Sequence, residues 1–424
     1  MRRQIYDAYV HILKAELVLA LGCTEPIAIA LAGAKMRETL GALPDSITVQ
    51  CSGNFIKNAK SVVVPGSGGM KGIEAAALLG AVCGDASKDL EVLTGAKEAD
   101  IRQTRALLQK NICSVKLLES KDKLHIIVRG VLGERFAEVE IQHVHNGITR
   151  VETEKGVQAR GGVKQIEEVS PEETALLSAE GICEFADCVC LDDVRRLLSD
   201  QIKYNTAIAE EGLRKRYGLA VGRMLLDVCG KNVETRARAA AAAASDARMS
   251  GCELPVVINA GSGNQGITVS LPVHVYAQTL GASEEKLYRA LTISNLMSIY
   301  QKSAIGRLSA FCGAVTAAAG AGAGITYLHG GTHEQICNTV CNTLASVSGM
   351  LCDGAKASCA AKISAAVDAA ILGFKLSMAG CRFADGDGLM KRDADRTIQG
   401  IGRVAREGME LADRVILETM LQED

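Results

Sequence analysis

Two cysteines stand seven positions apart in the stretch Met350–Lys362, MLCDGAKASCAAK. Thiolates are soft donors that suit iron–sulfur clusters, zinc and copper(I). One straight helix would separate the two stems by about 10 Å, too far for one small centre. Asp353-Gly354 is turn chemistry, because Gly accepts positive φ and Asp bonds its own following backbone. The reading is therefore a loop carrying Cys352 and a helix beginning at Cys359, with Ser358 as N-cap. Unpaired N–H groups and the helix dipole favour a thiolate there. Cys312, in RLSAFCGAV, is the third candidate for the same centre. No Cys-x-x-Cys pair is present, so spacing alone leaves two readings open: a metal or cluster site, or buried thiols acting as small hydrophobes. Cys337 and Cys341 read as packing inward, and Cys183, Cys188 and Cys190 as core. Gly330-Gly331 between His329 and His333 argues against a helical metal pair.

Cys23 stands in GCTEPIAIALAG, just before Thr24 as a possible N-cap and Pro26 in a first helical turn. A thiol beside a helix start is a candidate reactive group, and a buried junction thiol is the alternative. Two glycine loops supply neutral hydrogen bonders. VVVPGSGGMKG reads as strand, loop and helix, a geometry that holds anions on backbone N–H groups, though its spacing is not that of a Walker loop. INAGSGNQGI suits a substrate carboxylate or ammonium, with tight-turn packing as the alternative. The tripeptide Ser-Gly-Asn occurs at 52–54 and again at 262–264. Candidate substrate-binding residues are Ser52, Asn54, Ser67, Gly68, Ser262 and Asn264.

These residues need a frame. Residues 1–45 read as two helices packing on a catalytic domain, broken near Leu21–Pro26 and stopped at Gly41. Residues 46–165 alternate short β-branched runs, SITVQCSG, SVVVPG, KLHIIVRG and RFAEVEIQHV, with helical stretches, and His145-Asn146-Gly147 is a hairpin signal. Residues 166–424 are mostly helical, with LPVVINAGSGNQGITVSLPV as one extended insertion. The fold class is α+β, a helical catalytic domain with a smaller α+β domain near the N-terminus.

The chain has 424 residues, 48% hydrophobic, enough for more than one large core. Its 47 basic and 49 acidic residues are interspersed and the formal net charge is -2. Nothing in that balance suggests nucleic acid or a membrane surface as partner. A small amino acid and a second copy of the chain are the expected partners. Fifteen cysteines without an export signal point to reduced thiols and a cytoplasmic location. Leu308–Thr332 lacks Asp, Glu, Lys and Arg, but Ala and Gly dominate it, which favours a closely packed central helix pair over a membrane span.

Taken together, GCTEP at 22–26, ASDARMSG at 244–251, NAGSGNQGI at 259–267 and VSGMLCDGAKASC at 347–359 resemble the L-cysteine desulfidase family, distant relatives of the alpha chain of iron–sulfur L-serine dehydratases. The likeness runs over nearly the whole chain. It implies a 4Fe-4S cluster held by Cys312, Cys352 and Cys359, with Cys23 as catalytic base. It further implies β-elimination of L-cysteine to hydrogen sulfide, ammonia and pyruvate. The chain ends LQED, where many L-serine dehydratases carry a cysteine, which favours the desulfidase branch. L-serine dehydration is the alternative activity, a cluster-based sensor the non-enzymatic one. A pyridoxal-phosphate lyase would need a Schiff-base lysine, for which Lys71 beside GSGG is the candidate.

Overall fold

The computed structural model describes residues 1–21, 24–120, 122, 124–159, 169–306 and 309–421. The chain opens with helix α1 (Arg3–Glu16), strand β1 (Leu19–Leu21) and helix α2 (Thr24–Leu40). Helix α1 is amphipathic and buries Tyr9, Ile12 and Leu13 in the larger of two cores. Helix α2 is apolar on nearly every face, so it must be enclosed, and it buries Ile27–Leu31 in the smaller core instead. It stops at Gly41, whose φ of 81° ends the helix as the sequence indicates.

The smaller unit follows: β2 (Ser46–Cys51), α3 (Gly53–Ala59), α4 (Gly72–Cys83), a 3₁₀ turn at Ala86–Glu91, α5 (Glu98–Gln109), β3 (Cys113–Leu117), β4 (His125–Leu132), β5 (Arg135–Gln142), β6 (Ile148–Thr153) and β7 (Gly156–Ala159). The strands form one sheet in the order β3-β2-β4-β5-β6-β7. Only β2 and β3 are parallel, joined by the crossover through α3, α4 and α5; the remaining pairs are antiparallel. Alternation sets the register. Val49, Val128, Val139 and Val151 pair directly across four strands, and all four are buried. Helices α2 and α4 cross that row at backbone contact, since a Cβ on Gly80 would overlap the Ala30 carbonyl. The run SVVVPG is not a strand. Only Val63 bridges, to Lys71, because Pro65 lacks a donor and Gly66, Gly68 and Gly69 turn the chain back with positive φ.

The larger unit comprises α6 (Pro171–Thr174), α7 (Ala179–Cys188), α8 (Leu191–Arg214), α9 (Val221–Val228), α10 (Val233–Met249), β8 (Pro255–Val257), α11 (Gly263–Leu280), α12 (Glu284–Ile305), α13 (Gly313–Leu328), α14 (His333–Val347), α15 (Cys359–Met378), α16 (Ala394–Arg403), a π turn at Val404–Gly408 and α17 (Glu410–Leu421). The expected extended insertion is mostly helix: only Pro255–Val257 pairs, with β1, and α11 runs through Pro272. Neighbouring helices enclose that proline turn, so packing overrides the local breaker. The charge-free stretch is one central helix, α13, and not a pair. Its glycines let it touch α12 at Ser294 and Ala290 and α15 at Ala370. Among the described residues no helix is long and apolar enough to cross a membrane.

A seam joins the units. Val62 packs with Met249, Ala355 and Cys359, and a Cβ on Gly354 would overlap the Lys57 carbonyl oxygen on α3. Helix α17 reaches back across it. Leu417 packs on the small core, and Asp413 pairs with Lys57, which is 2% exposed. Asp413→Ala would leave that ammonium buried and unpaired. We expect a loss of about 3 kcal/mol, at the low end for breaking a buried pair because Asp413 is partly exposed. Urea denaturation of the variant and its parent measures it.

Candidate active site

The three thiols come from two segments that the backbone locks side by side. Phe311 and Leu351 form an isolated antiparallel bridge. The Cys312 N–H donates to the Met350 carbonyl at 3.0 Å, and the Cys352 N–H to the Ala310 carbonyl at 2.6 Å. Gly354 takes a φ of 92°, confirming the Asp-Gly turn, and the chain then enters α15 at Cys359. Ser358 occupies the N-cap position but makes no side-chain cap bond, because its backbone is already helical. Cys312 is the N-cap residue of α13 and Cys359 the first residue of α15, so two helix starts face the thiols.

Burial, then the neighbouring Cys352, pushes the Cys312 thiol up to about 12, against the pull of the Ala314 N–H and Lys362. Burial raises Cys359 as well, opposed by Lys356 and reinforced by Cys352. Asp353 sits between the two lysines. Burial alone would raise its carboxyl, but Lys356 and Lys362 overcome that and hold it at about 2. Lys362 also donates to the Leu351 carbonyl at 2.8 Å, pinning the loop to the first turn of α15. Unlike Cys312, Cys352 and Cys359, Cys341 is fully buried in the helical core. Cys183 is buried too, while Cys188 and Cys190 are exposed, because α7 ends there and only Val189 turns inward.

The second glycine loop lies against Cys312. Gln265, in the first turn of α11, fills the space where a Cβ on Gly313 would stand, and its Oε1 accepts from Thr316 at 3.3 Å. Ser262 caps α11 by accepting the Gln265 N–H, and Asn264 Oδ1 accepts from Arg248 at 3.4 Å. The loop is held by amides on the buried faces of helices. Asn205 on α8 accepts the Val257 N–H at 2.9 Å and donates to the Gly266 carbonyl at 3.1 Å. Asn295 on α12 joins Asn259 and Gln201 in a network with no exposed member. That network holds Ala260 at a φ of 48°, a conformation costing an L-residue roughly 1–2 kcal/mol. Sequence reasoning missed these amides, though Asn295 in the apolar run LTISNLMSIY is a readable signal; Gln201 and Asn205 stand among charged neighbours and give none.

The α10 motif ASDARMSG contributes two more residues that sequence reasoning passed over. Asp246 is fully buried, and burial pushes its carboxyl up to about 6 despite N–H donors from Gly222 and Val221. Its Oδ1 is buried without a partner among the described residues and lies beside Gly218, where Ala357 of the thiol loop also packs. Arg248 lies over the start of α11.

The first glycine loop serves itself. Ser67 donates to the Met70 carbonyl at 3.1 Å, and the Gly68 carbonyl accepts from Arg105 at 2.8 Å. Lys71 is exposed at the N-cap position of α4. Ser52 and Asn54 open α3, the helix whose Lys57 meets Gly354; Ser52 is 4% exposed, and Asn54 Oδ1 is buried without a partner among the described residues. Asn58 on α3 reaches Glu25 at the start of α2 at 3.5 Å. Cys23 lies outside the described residues.

Residues 87–418 match the family model of the serine dehydratase alpha chain. The chain belongs to that family. A UPF0597 protein of Lachnoclostridium phytofermentans is 56% identical over 98% of this chain and 100% of its own length. Another from Desulfitobacterium hafniense is 48% identical over 100% of this chain and 99% of its own, and one from Treponema denticola is 46% identical over 99% and 98%. As a serine dehydratase alpha chain relative, the protein invites the question whether its thiols fit an iron–sulfur cluster. Among the described residues no three His, Cys, Asp or Glu side chains close around a point as a single metal ion requires. A cluster asks less, because each thiolate takes its own iron. An all-thiol donor set at two helix starts, flanked by Lys356 and Lys362, has the softness and the positive surroundings such a group needs. After anaerobic iron and sulfide reconstitution, Cys312→Ser, Cys352→Ser and Cys359→Ser should each retain far less iron than the parent. Cys337→Ser and Cys341→Ser should match the parent by metal analysis.

Proposed function

We propose that the protein is an iron–sulfur lyase that β-eliminates a small L-amino acid, with L-cysteine preferred. The meeting of Cys312, Cys352 and Cys359 at the starts of α13 and α15 carries the reading. The serine dehydratase alpha chain match, which spans all three, supports it. Held by those thiolates, a 4Fe-4S cluster with one iron lacking a protein ligand would supply a Lewis acid for the substrate's leaving group or carboxylate.

The chain's own groups then have the following tasks. The loop 259–265, with Ser262 and Asn264, orients the substrate beside Cys312. Helix α3 closes the other side, with Ser52 and Asn54 at its start and the Lys57 carbonyl against the thiol loop. The Cys23 thiolate takes the proton from the substrate Cα. The Cβ–S bond breaks as the Cα–Cβ double bond forms, so sulfide departs with the bonding pair. The aminoacrylate released tautomerises to the imine, and water converts that to pyruvate and ammonia. Sulfur acids are far stronger than water, as the cysteine thiol at about 8.5 against water at about 15.7 illustrates, so hydrosulfide leaves more readily than hydroxide. Serine is the second reading, because the family description names its dehydratase, and it would need more assistance at the leaving group.

The reconstituted protein should release sulfide, ammonia and pyruvate in equal amounts from L-cysteine, with higher kcat/KM than for L-serine. Pyruvate from serine alone would reverse the substrate. Cys23→Ala should keep its iron and lose about 10²- to 10⁴-fold in turnover, as loss of a general base does. Turnover within a few-fold of the parent would remove Cys23 from the chemistry.

A further inference from the structure

Arg248 ends helix α10 and is 6% exposed. Its guanidinium lies on the first residue of α11, where a Cβ on Gly263 would stand 2.7 Å from Cζ and 2.9 Å from the Val256 side chain. Nη1 donates to Asn264 Oδ1 at 3.4 Å, and Nε is buried with no hydrogen-bond partner among the described residues. Among the described residues no carboxylate is ion-paired with it. The nearby acids are turned elsewhere: Asp246 takes the Gly222 N–H, and Glu253 faces Gly66.

A desolvated cation without a counter-ion is costly, and here a second positive field adds to it. Helix α11 runs 18 residues and presents its N-terminus, roughly half an elementary charge, to the same guanidinium. Its first N–H groups, on Gly263 and Asn264, have no intrahelical acceptors. Two positive groups packed together away from water make sense when an anion completes them. Its shape follows from the donors. A planar guanidinium matches a two-oxygen planar anion, and neutral Asn264 and Ser262 add no charge to repel an ammonium on the same molecule.

We propose that Arg248 and the N-terminus of α11 form the site for the α-carboxylate of a small amino acid. The carboxylate lies across the guanidinium and takes the Gly263 and Asn264 N–H groups. Because Gln265, on the same turn, packs against Gly313 beside Cys312, the anchored carboxylate holds the rest of the molecule toward the thiols. This rests on the proposed amino-acid substrate but is tested by binding alone.

The experiment is calorimetric titration of the anaerobically reconstituted protein with L-alanine, which lacks a leaving group, and with L-alaninamide, which lacks the carboxylate. The parent should bind alanine and discriminate against the amide. Arg248→Met should weaken alanine about 10- to 100-fold, the worth of one charge-assisted hydrogen bond, and should lose the discrimination. It should also melt no lower than the parent without ligand, since it removes an uncompensated buried charge. If Arg248→Met does not fold, Arg248→Lys keeps the charge, loses the fork, and should bind alanine less tightly than the parent. Parent-like alanine binding in either variant, equal binding of the amide by the parent, or no alanine binding by the parent overturns the proposal. The two readings fail separately. Arg248-dependent alanine binding in a protein that makes no pyruvate from any amino acid removes the lyase and leaves this site. Pyruvate formation with an unchanged KM in Arg248→Met does the reverse.

Discussion

Helix α13 is mostly glycine and alanine, and its neighbours are placed by that fact. Glycine and alanine along Gly313–Leu328 let α12 and α15 approach to backbone contact, where dispersion is strongest and no rotamer freedom is lost. Close contact fixes relative register along the helices. Where α13 begins, α11 and α15 begin beside it, and Cys312, Gln265 and Cys359 are brought to one place by helix packing rather than by loops. A side chain at Gly320 or Gly324 would meet the α12 backbone and push the packed helices apart without touching a thiol.

The region between these helix starts collects groups that a folded protein normally satisfies. Among the described residues Asp246 Oδ1, Arg248 Nε and Asn259 Oδ1 are buried without partners, while the amides of Gln201, Asn205 and Asn295 are bonded. Satisfied outer amides make a rigid frame, and unsatisfied inner atoms mark where something else completes the bonding. Left-handed Ala260 belongs to the same pattern, since strain persists only where the surroundings over-determine it.

Sequence made the sheet and the thiol loop legible for a physical reason: both are written locally. Alternation predicts β2, β4 and β5, and Asp353-Gly354 predicts its own turn. The extended reading of 254–273 failed because Pro272 and the β-branched residues around it are local signals that enclosure by α12, α13 and α10 overrides. SVVVPG failed in the opposite sense, as three positive-φ glycines outweighed the valines. Arg248 and Asp246 stayed hidden in an alanine run, since charge in a helix reads as surface until tertiary packing shows every face covered. Ser67 and Gly68 looked like the second glycine loop in composition, yet their hydrogen bonds close on Met70 and Arg105.

The N-terminal helix and its partners are far apart in the chain. Tyr9 donates its hydroxyl to the carbonyl of Leu176, 167 residues later, and the sheet unit lies wholly between them. At a synthesis rate of roughly 5–20 residues per second, α1 waits about 8 to 33 s for that acceptor to exist. During the interval its apolar face, Tyr9, Ile12 and Leu13, has no native cover. The intervening unit has its own core, built from residues 27–151, and among the described residues Leu417 alone packs on it from far downstream. Synthesis order therefore lets the inserted sheet gather before the first helix made can dock.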